Sequence, residues 1–233
     1  MARTEKVPNE LKKRLQRQEH RRREEIRSKR LYFLIVCEGE KTEPLYFEAL
    51  KKDLPKGILE NAVIEIEGEG KNTLSLIESV AKIRERREAE SGRSYDQTWA
   101  VFDRDSFLPQ NFNNAIFKAR QAQPEIKCAW SNEAFELWYL LHFEFYQDAA
   151  SRRFYQERLE QAVARRTGKA YRYQKNDPNM YHLLKEHGNQ QQAMEWAESL
   201  EQWHHGENFA DHNPCTLVYR LIKALTSPEN GTT

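Results

Sequence analysis

The sequence contains little that would anchor the protein in a membrane or export it from the cell. Its longest apolar runs, at residues 31–37 and 137–141, are far shorter than the roughly 20 residues of a bilayer-spanning helix. No apolar segment follows the N-terminal charges, so no secretory signal is expected. The three cysteines are widely separated and form no CxxC pair, which is typical of reduced thiols. We therefore expect a cytoplasmic protein without membrane contact.

The net charge is small, but it is unevenly distributed along the chain. The 233 residues include 37 Lys and Arg and 36 Asp and Glu, which gives a formal net charge of +1. Residues 1–30 contain eight Arg, four Lys and five Glu, a net charge of +7, so the remaining residues carry −6. Residues 1–30 are therefore predicted to form a basic arm, helical or disordered. This arm is either solvated or binds phosphate groups or an acidic partner.

Four short apolar segments alternate with amphipathic helical segments in residues 31–147. The segments are LYFLIVC (31–37), AVIEIEG (62–68), TWAVFD (98–103) and IKCAW (126–130). Continuous apolar runs of this length are typical of strands that are buried on both faces. The alternation predicts an α/β domain with a mostly parallel sheet flanked by helices.

The C-terminal third of the sequence has a different character. Residues 148–226 contain helical segments and no convincing strand, and Gly168, Pro178 and Pro214 mark breaks between the segments. We expect these residues to form a helical C-terminal extension. The last residues, 227–233, are polar and are predicted to be a disordered tail.

Carboxylates occur at the ends of two predicted strands. Glu38 directly follows the first strand, Asp103 ends the third strand, and Asp105 comes two residues later. Because parallel strands end at the same edge of a sheet, we expect these three side chains to converge into a site for Mg²⁺, which prefers hard oxygen ligands. Each residue alone has a simpler explanation, since Asp105 and Ser106 can cap the next helix and Glu38 can belong to a turn.

Two other features are weaker indications of chemistry. The sequence GEGKNT (68–73) lacks the first glycine of a P-loop, so it predicts only a phosphate-binding loop with Lys71 beside the acidic pocket. Four potential zinc ligands occur near the C-terminus, at His204, His205, His212 and Cys215. Their spacing matches no standard zinc motif, so we interpret them as ordinary surface and core residues.

The order of motifs along the chain resembles a known protein family. The motifs are, in order, CEGEKTEPLYFEAL, VFDRDSF, SNEAFELWYLLHF, YQK and NPCTLVYRLIKAL, and together they are similar to the RloB-like family. A strand followed by Glu-Gly, and a later strand ending in Asp-x-Asp, also resembles the Toprim domains of topoisomerases, primases and OLD-type nucleases. The resemblance extends from about residue 31 to residue 225. It implies a Toprim-like domain over residues 31–147 and a role in bacterial anti-phage defence, or abortive infection, beside an AAA/ABC-type ATPase.

The resemblance also suggests which carboxylates would bind metal. Glu38, Asp103 and Asp105 match the Toprim acids, which would hold Mg²⁺ or Mn²⁺. Glu136, in SNEAFELW, matches a family glutamate and would be a further metal ligand. Alternatively, Glu136 and His142 simply flank a buried aromatic helix face.

Three further residues are candidates for contact with phosphate. Lys175, in YQKND, would place a positive charge on the scissile phosphate, as lysines do in related nucleases, or it is a solvated loop lysine. Lys41 and Thr42 would bind phosphate, or they merely open the helix that follows the first strand. The chain departs from the family where it has Glu133, since relatives often have Pro after SN.

The sequence supports two functions of different classes. The first is a metal-dependent nuclease that hydrolyses phosphodiester bonds in DNA or RNA as the effector of an anti-phage system. The alternative is a non-catalytic adaptor or regulatory subunit of an ATPase complex. A nuclease held inactive by its partner is a third reading. The sequence leaves the oligomeric state open.

Overall fold

The computed structural model describes residues 10, 13, 31–54, 62–68, 73–104 and 108–227, with only the backbone described for 62–68 and 73–75. The chain divides into two compact units, residues 1–30 and residues 31–233. In the first unit, Glu10 and Lys13 are helical and exposed. The rest of the predicted basic arm, residues 228–233 of the predicted tail, Lys71 and Asp105 lie outside the described residues.

The second unit is built on a five-stranded sheet. In spatial order the strands are β2-β1-β3-β4-β5, and β1 to β4 are parallel, whereas β5 runs antiparallel to β4. The strands are β1 (Leu31–Cys37), β2 (Ala62–Gly68), β3 (Gln97–Asp103), β4 (Ile126–Asn132) and β5 (Cys215–Thr216). The predicted α/β class with a mostly parallel sheet is therefore confirmed.

Helices connect the parallel strands and continue after the last of them. The helices of the described residues are α1 (Thr42–Asp53), α2 (Thr73–Ser91), α3 (Pro109–Gln121), α4 (Glu136–Leu141), α5 (Arg152–Thr167), α6 (Met180–His187), α7 (Gln190–Trp203) and α8 (Val218–Thr226), with a 3₁₀ turn at Phe209–Asp211. None of these helices is both long and apolar enough to cross a membrane. The helices after residue 148 contact the sheet as well as one another, since α8 packs on β4 and α7 on β5.

The order of the strands creates a crevice between β1 and β3. From β1 the chain adds β2 on one side of the sheet. It then crosses back and adds β3 and β4 on the other side of β1. In open parallel sheets, ligands bind beyond the carboxyl ends of the strands at such a reversal. The residues that follow β1 and β3 are therefore the first place to look for a functional site.

The core of the sheet explains why the strands are continuous apolar runs. The last five residues of β1, Phe33–Cys37, are completely buried, and six of the seven residues of β3 are buried. Aromatic rings fill the space between α1 and α4, where Tyr46 packs edge-on against Phe47 and Phe135. The hydroxyl of Tyr46 accepts a hydrogen bond of 2.9 Å from the indole of Trp138, so this apolar cluster contains a satisfied polar pair.

The structure contains two elements that the sequence did not predict. Strand β5 is only two residues long, and it lies in the region for which the sequence predicts helices and no strand. It forms because Cys215 and Thr216 pair with the end of β4, where the hydroxyls of Thr216 and Ser131 lie 2.9 Å apart. Helix α6 was missed because it spans just eight residues.

Candidate active site

Two of the predicted acidic residues meet where the strand order reverses. The backbone ladder between β1 and β3 continues past the end of β1, since the amide of Glu38 donates to the carbonyl of Val101 over 2.8 Å. This places the Glu38 side chain beside the end of β3, where its Oε2 accepts a 3.3 Å hydrogen bond from the amide of Asp103. The structure therefore brings the Glu38 side chain to the backbone of Asp103 at this edge of the sheet.

An arginine from α5 joins Asp103 to a second buried carboxylate. The Nη2 atom of Arg152 lies 2.8 Å from Oδ2 of Asp103, and its Nε lies 3.6 Å from Oε2 of Glu136. The side chains of Asp103 and Glu136 are 7% and 4% exposed, whereas that of Arg152 is 29% exposed. The guanidinium thus offsets two carboxylates that are nearly removed from water, where an uncompensated charge would be costly.

Glu136 is held by a set of polar contacts rather than by the aromatic cluster alone. Its Oε1 accepts hydrogen bonds from the amide of Gln156, at 2.8 Å, and from the hydroxyl of Tyr173, at 3.1 Å. Burial and the charge of Glu136 raise the pKa of Tyr173, so this hydroxyl stays protonated and donates. The prediction that Glu136 belongs to the acidic pocket is thus compatible with its position.

His142 lies at the other end of α4 and has no contact with the pocket in the described residues. Its Nδ1 lies 2.9 Å from the carbonyl oxygen of Trp138, and its ring packs edge-on against the Trp138 indole. Burial lowers the pKa of His142 to about 4. The ring is therefore neutral at physiological pH.

A third buried carboxylate, Glu43, was missed by sequence reasoning. It belongs to the first turn of α1 and is 7% exposed. Burial raises the pKa of Glu43, a hydrogen bond to its own backbone lowers it, and the nearby charges act in both directions: Glu136 raises it, while Arg152 and Lys175 lower it. These interactions place Glu43 in the electrostatic neighbourhood of the same pocket.

The position of Glu43 had a recognisable signal in the sequence. The buried residues of α1 are Glu43, Tyr46, Phe47 and Leu50, which follow the i, i+3, i+4, i+7 spacing of one helix face. A carboxylate on such a buried stripe is unusual and indicates a function or a buried partner. Gly39 also faces it, because a Cβ atom at Gly39 would lie 2.2 Å from Oε2 of Glu43.

The predicted phosphate-binding residues after β1 border the pocket in different ways. The hydroxyl of Thr42 donates a 2.7 Å hydrogen bond to Oδ1 of Asn176, so it ties α1 to the loop that carries Lys175. Asn176 adopts a left-handed backbone conformation, with φ of 66°. Lys175 is exposed, and its charge acts on Glu43. Lys41 is also exposed and precedes the first residue of α1 without capping it through its side chain.

Sequence reasoning also missed Arg152, although its position is unusual. Arg152 and Arg153 are the first two residues of α5, and no acidic residue occurs in that turn. The N-terminus of a helix carries a partial positive charge, so cations there are unfavourable unless they have partners elsewhere. Arg152 has its partners in Asp103 and Glu136, whereas Arg153 pairs along the helix with Glu157.

The acidic pocket has the donor chemistry of a site for a hard divalent cation. Within the part of the chain that the structure describes, no three His, Cys, Asp or Glu side chains are grouped closely enough to hold a metal ion. Asp105, the second aspartate of the predicted pair, lies outside that part. Glu38 and Asp103 are in contact, and both offer carboxylate oxygens, which Mg²⁺ and Mn²⁺ prefer. These residues fit a divalent ion in kind.

The histidines near the C-terminus form a separate cluster. The rings of His204 and His212 are stacked with centroids 4.8 Å apart, and Nε2 of His204 lies 3.0 Å from the carbonyl oxygen of Pro214. Cys215 is buried, and burial raises the pKa of its thiol. These contacts belong to the packing of α7 and β5 onto the sheet.

A comparison with known proteins places the chain in a family. The model of the family described as RloB-like protein matches residues 33–225, which is most of the sequence. No curated protein and no solved structure matches the chain. The matched region includes Glu38, Asp103, Glu136 and Lys175. The chain therefore belongs to the RloB-like protein family.

Proposed function

We propose that this protein is a metal-dependent phosphodiesterase that cleaves nucleic acid. The observation that carries the proposal is the contact between Glu38 and Asp103 beyond two neighbouring parallel strands, at the point where the strand order reverses. The carboxylates of these two residues would supply oxygen ligands of the kind that a phosphoryl-transfer metal needs. The resemblance of both motifs to Toprim nucleases supports the same reading.

Each residue of the proposed site has a role in this scheme. Glu38, Asp103 and Asp105, with Glu136, would hold Mg²⁺ or Mn²⁺. A bound divalent ion would supply an activated water and offset charge on the phosphate. Lys175 and Lys41 are exposed cations that would bind the oxygens of the scissile phosphate.

The remaining polar groups orient the acids. Gln156 and Tyr173 fix one oxygen of Glu136, and the Arg152 guanidinium fixes one oxygen of Asp103. The Thr42 hydroxyl positions the loop that carries Lys175. Groups held in this way lose little entropy when substrate binds, which is the general advantage of a preorganised site.

The biological setting follows from the family resemblance. We propose that the protein is the effector of a bacterial anti-phage system and acts with an AAA/ABC-type ATPase. A free nuclease would endanger its own cell, so the partner would hold it inactive until infection. Nucleic acid and the ATPase are thus the two proposed partners.

A second candidate function is that of a non-catalytic adaptor subunit. The observation in its favour is that Arg152 already contacts both Asp103 and Glu136. Part of the negative charge of the pocket is thus offset by the protein's own arginine without a metal ion. In that case the acidic pocket would be structural, and the protein would act through docking surfaces.

The two candidates are separated by a nuclease assay with matched variants. Wild-type protein, with and without the ATPase, is incubated with single-stranded DNA, duplex DNA, plasmid and tRNA in Mg²⁺, Mn²⁺ or EDTA. We expect products that depend on metal, and their loss in Asp103→Asn and Glu38→Gln, because each change removes a charged ligand. Asp148→Asn is the control, since Asp148 is exposed and outside the pocket. The absence of metal-dependent products on every substrate would favour the adaptor.

A further inference from the structure

A second cavity lies at the end of α4 and α5 that is away from the acidic pocket. It has a volume of about 350 Å³, which is at the small end of ligand-binding pockets. Its lining includes Arg165 and Arg166 from α5, Trp196 from α7, and His142. None of its lining residues is acidic. Its composition is thus the reverse of that of the acidic pocket.

The arginines around this cavity outnumber the carboxylates that compensate them. Arg158 and Arg165 share one carboxylate, that of Glu144, and Arg158 approaches it to 2.6 Å. The Nε atom of Arg166 donates a 2.9 Å hydrogen bond to the backbone carbonyl of His187. Two guanidinium groups therefore share one carboxylate, and the third is bonded to a neutral carbonyl, so positive charge remains to attract a phosphate group.

The cavity also offers a buried hydrogen-bond acceptor. His142 is 4% exposed, and its Nδ1 faces the carbonyl oxygen of Trp138. Because a carbonyl can only accept, Nδ1 carries the proton of the neutral ring, and Nε2 is left as an acceptor. A ligand that bears an N–H group as well as negative charge would satisfy it.

Aromatic rings extend from the cavity along the surface. Trp196 and Trp203 are seven residues apart on α7 and so share a helix face, with Phe145 between them. The ring centroids are 5.8 Å apart for Phe145 and Trp196, and 5.6 Å apart for Phe145 and Trp203. Trp203 is 51% exposed and Phe145 is 37% exposed, so this row of rings faces solvent.

We propose that the cavity and the aromatic row bind a single-stranded segment of nucleic acid. The phosphate backbone would contact Arg165 and Arg166, and successive bases would stack on Trp196 and the rings beyond it. Basic grooves with a row of exposed aromatic side chains bind single strands in this way, because every base has a face that can stack. This inference rests on the proposed function, and it identifies the substrate as single-stranded at this surface.

The distance between the two sites sets the length of strand that can reach both. Arg152, at the acidic pocket, and Arg165, at the cavity, are separated by about 20 Å along α5 at 1.5 Å per residue. A stacked strand rises about 3.4 Å per nucleotide, so roughly six nucleotides span this distance. Shorter oligonucleotides should bind one site only.

Binding is measured by fluorescence anisotropy in EDTA, so that no cleavage occurs. The probe is a labelled single strand of about twelve nucleotides, roughly twice the span of the two sites. We expect Trp203→Ala and Arg166→Ala to weaken binding by about tenfold each, and Arg166→Ala also to reduce the dependence on salt. Lys118→Ala is the control, because it removes an equally exposed cation, paired with Glu78, from α3.

The outcomes distinguish this inference from the proposed function. Both tested side chains are exposed, so thermal melting should show unchanged folding. Equal affinities of the variants and the wild type for the single strand would overturn the inference, even if the wild type cleaves. The inference would also be overturned if a free mononucleotide displaced the probe at the same concentration as the unlabelled strand does. It would be overturned as well if Trp203→Ala weakened the binding of a duplex as much as that of the single strand. Binding that depends on Trp203, without metal-dependent cleavage, would uphold the inference and refute the nuclease.

Discussion

The most direct test of the acidic pocket is the replacement of Arg152 by methionine. The substitution removes the guanidinium and keeps most of the apolar stem, so packing changes little. In the absence of metal it leaves Asp103 and Glu136, which are 7% and 4% exposed, without their shared cation. We expect Arg152→Met to destabilise the protein without metal and to make its stability depend on a divalent ion.

The size of the effect follows from the burial of the three side chains. Breaking a fully buried ion pair costs about 3–5 kcal/mol, because a buried charge is left uncompensated. Arg152 itself is 29% exposed, and this partial solvation reduces the expected loss to about 2–3 kcal/mol. For a domain of this size, such a loss lowers Tm by roughly 5–10 °C.

Urea unfolding and thermal melting, each in EDTA and in Mn²⁺, measure this effect. A divalent ion at a hundred times its Kd stabilises the folded protein by about 2.7 kcal/mol. The stabilisation should be larger for the variant than for the wild type, because Arg152 no longer occupies the Asp103 carboxylate in the variant. The control is Arg153→Met. Arg153 is 87% exposed and pairs with Glu157 along the helix, so its loss should cost at most about 0.5 kcal/mol.

Two results would refute the reasoning. If Arg152→Met were as stable in EDTA as Arg153→Met, the guanidinium would contribute nothing to the burial of Asp103 and Glu136. If Mn²⁺ stabilised neither the wild type nor the variant, the pocket would not bind the ion. The first result bears on the structure alone, and the second on the proposed metal.

Three further predictions concern the surroundings of the pocket and the arm. Burial raises the pKa of Glu43 above its usual 4.5, so the folded state disfavours the charged form. Glu43→Gln should therefore increase the free energy of unfolding at pH 7, and this gain should disappear below about pH 4.5. A variant less stable than the wild type in urea titrations at pH 7 would contradict this prediction. Gly39→Ala should destabilise the protein because its Cβ meets Oε2 of Glu43, and a double-mutant cycle with Glu43→Ala should recover most of the loss. Deletion of residues 1–30, which carry a net charge of +7, should weaken the binding of nucleic acid or of the ATPase, most strongly at low salt. Metal binding should be unchanged. If the truncated and full-length proteins bound these partners equally well, the arm would be only a solvated tail.

The sheet and two of its acids were predictable because they depend on local patterns. Strands buried on both faces are continuous apolar runs, and the ends of such runs can be read directly, as for Cys37 and Asp103. Once the sheet is parallel, the residues that follow neighbouring strands must lie near one another. The contact between Glu38 and Asp103, 65 residues apart, follows from that rule without any further information.

The arginine of the pocket was not predictable by the same route. Arg152 meets Asp103 across 49 residues, through the packing of a helix whose position no local pattern determines. In sequence, the segment SRRF resembles any solvated helix start, and only the placement of two arginines at a positive helix end sets it apart. Strand β5 was missed for a related reason, since two residues are too few to show a period of two.

The pocket unites the two parts of the chain that differ in sequence character. Its acids, Glu38, Asp103 and Glu136, come from the sheet and the short helix that follows it, whereas Arg152 and Tyr173 come from the helical region. Without Arg152, the buried carboxylates of Asp103 and Glu136 would lack the cation that they share. The guanidinium and a divalent ion would therefore compete for the same oxygens of Asp103. A movement of α5 that displaces Arg152 would change the affinity of Asp103 for such an ion.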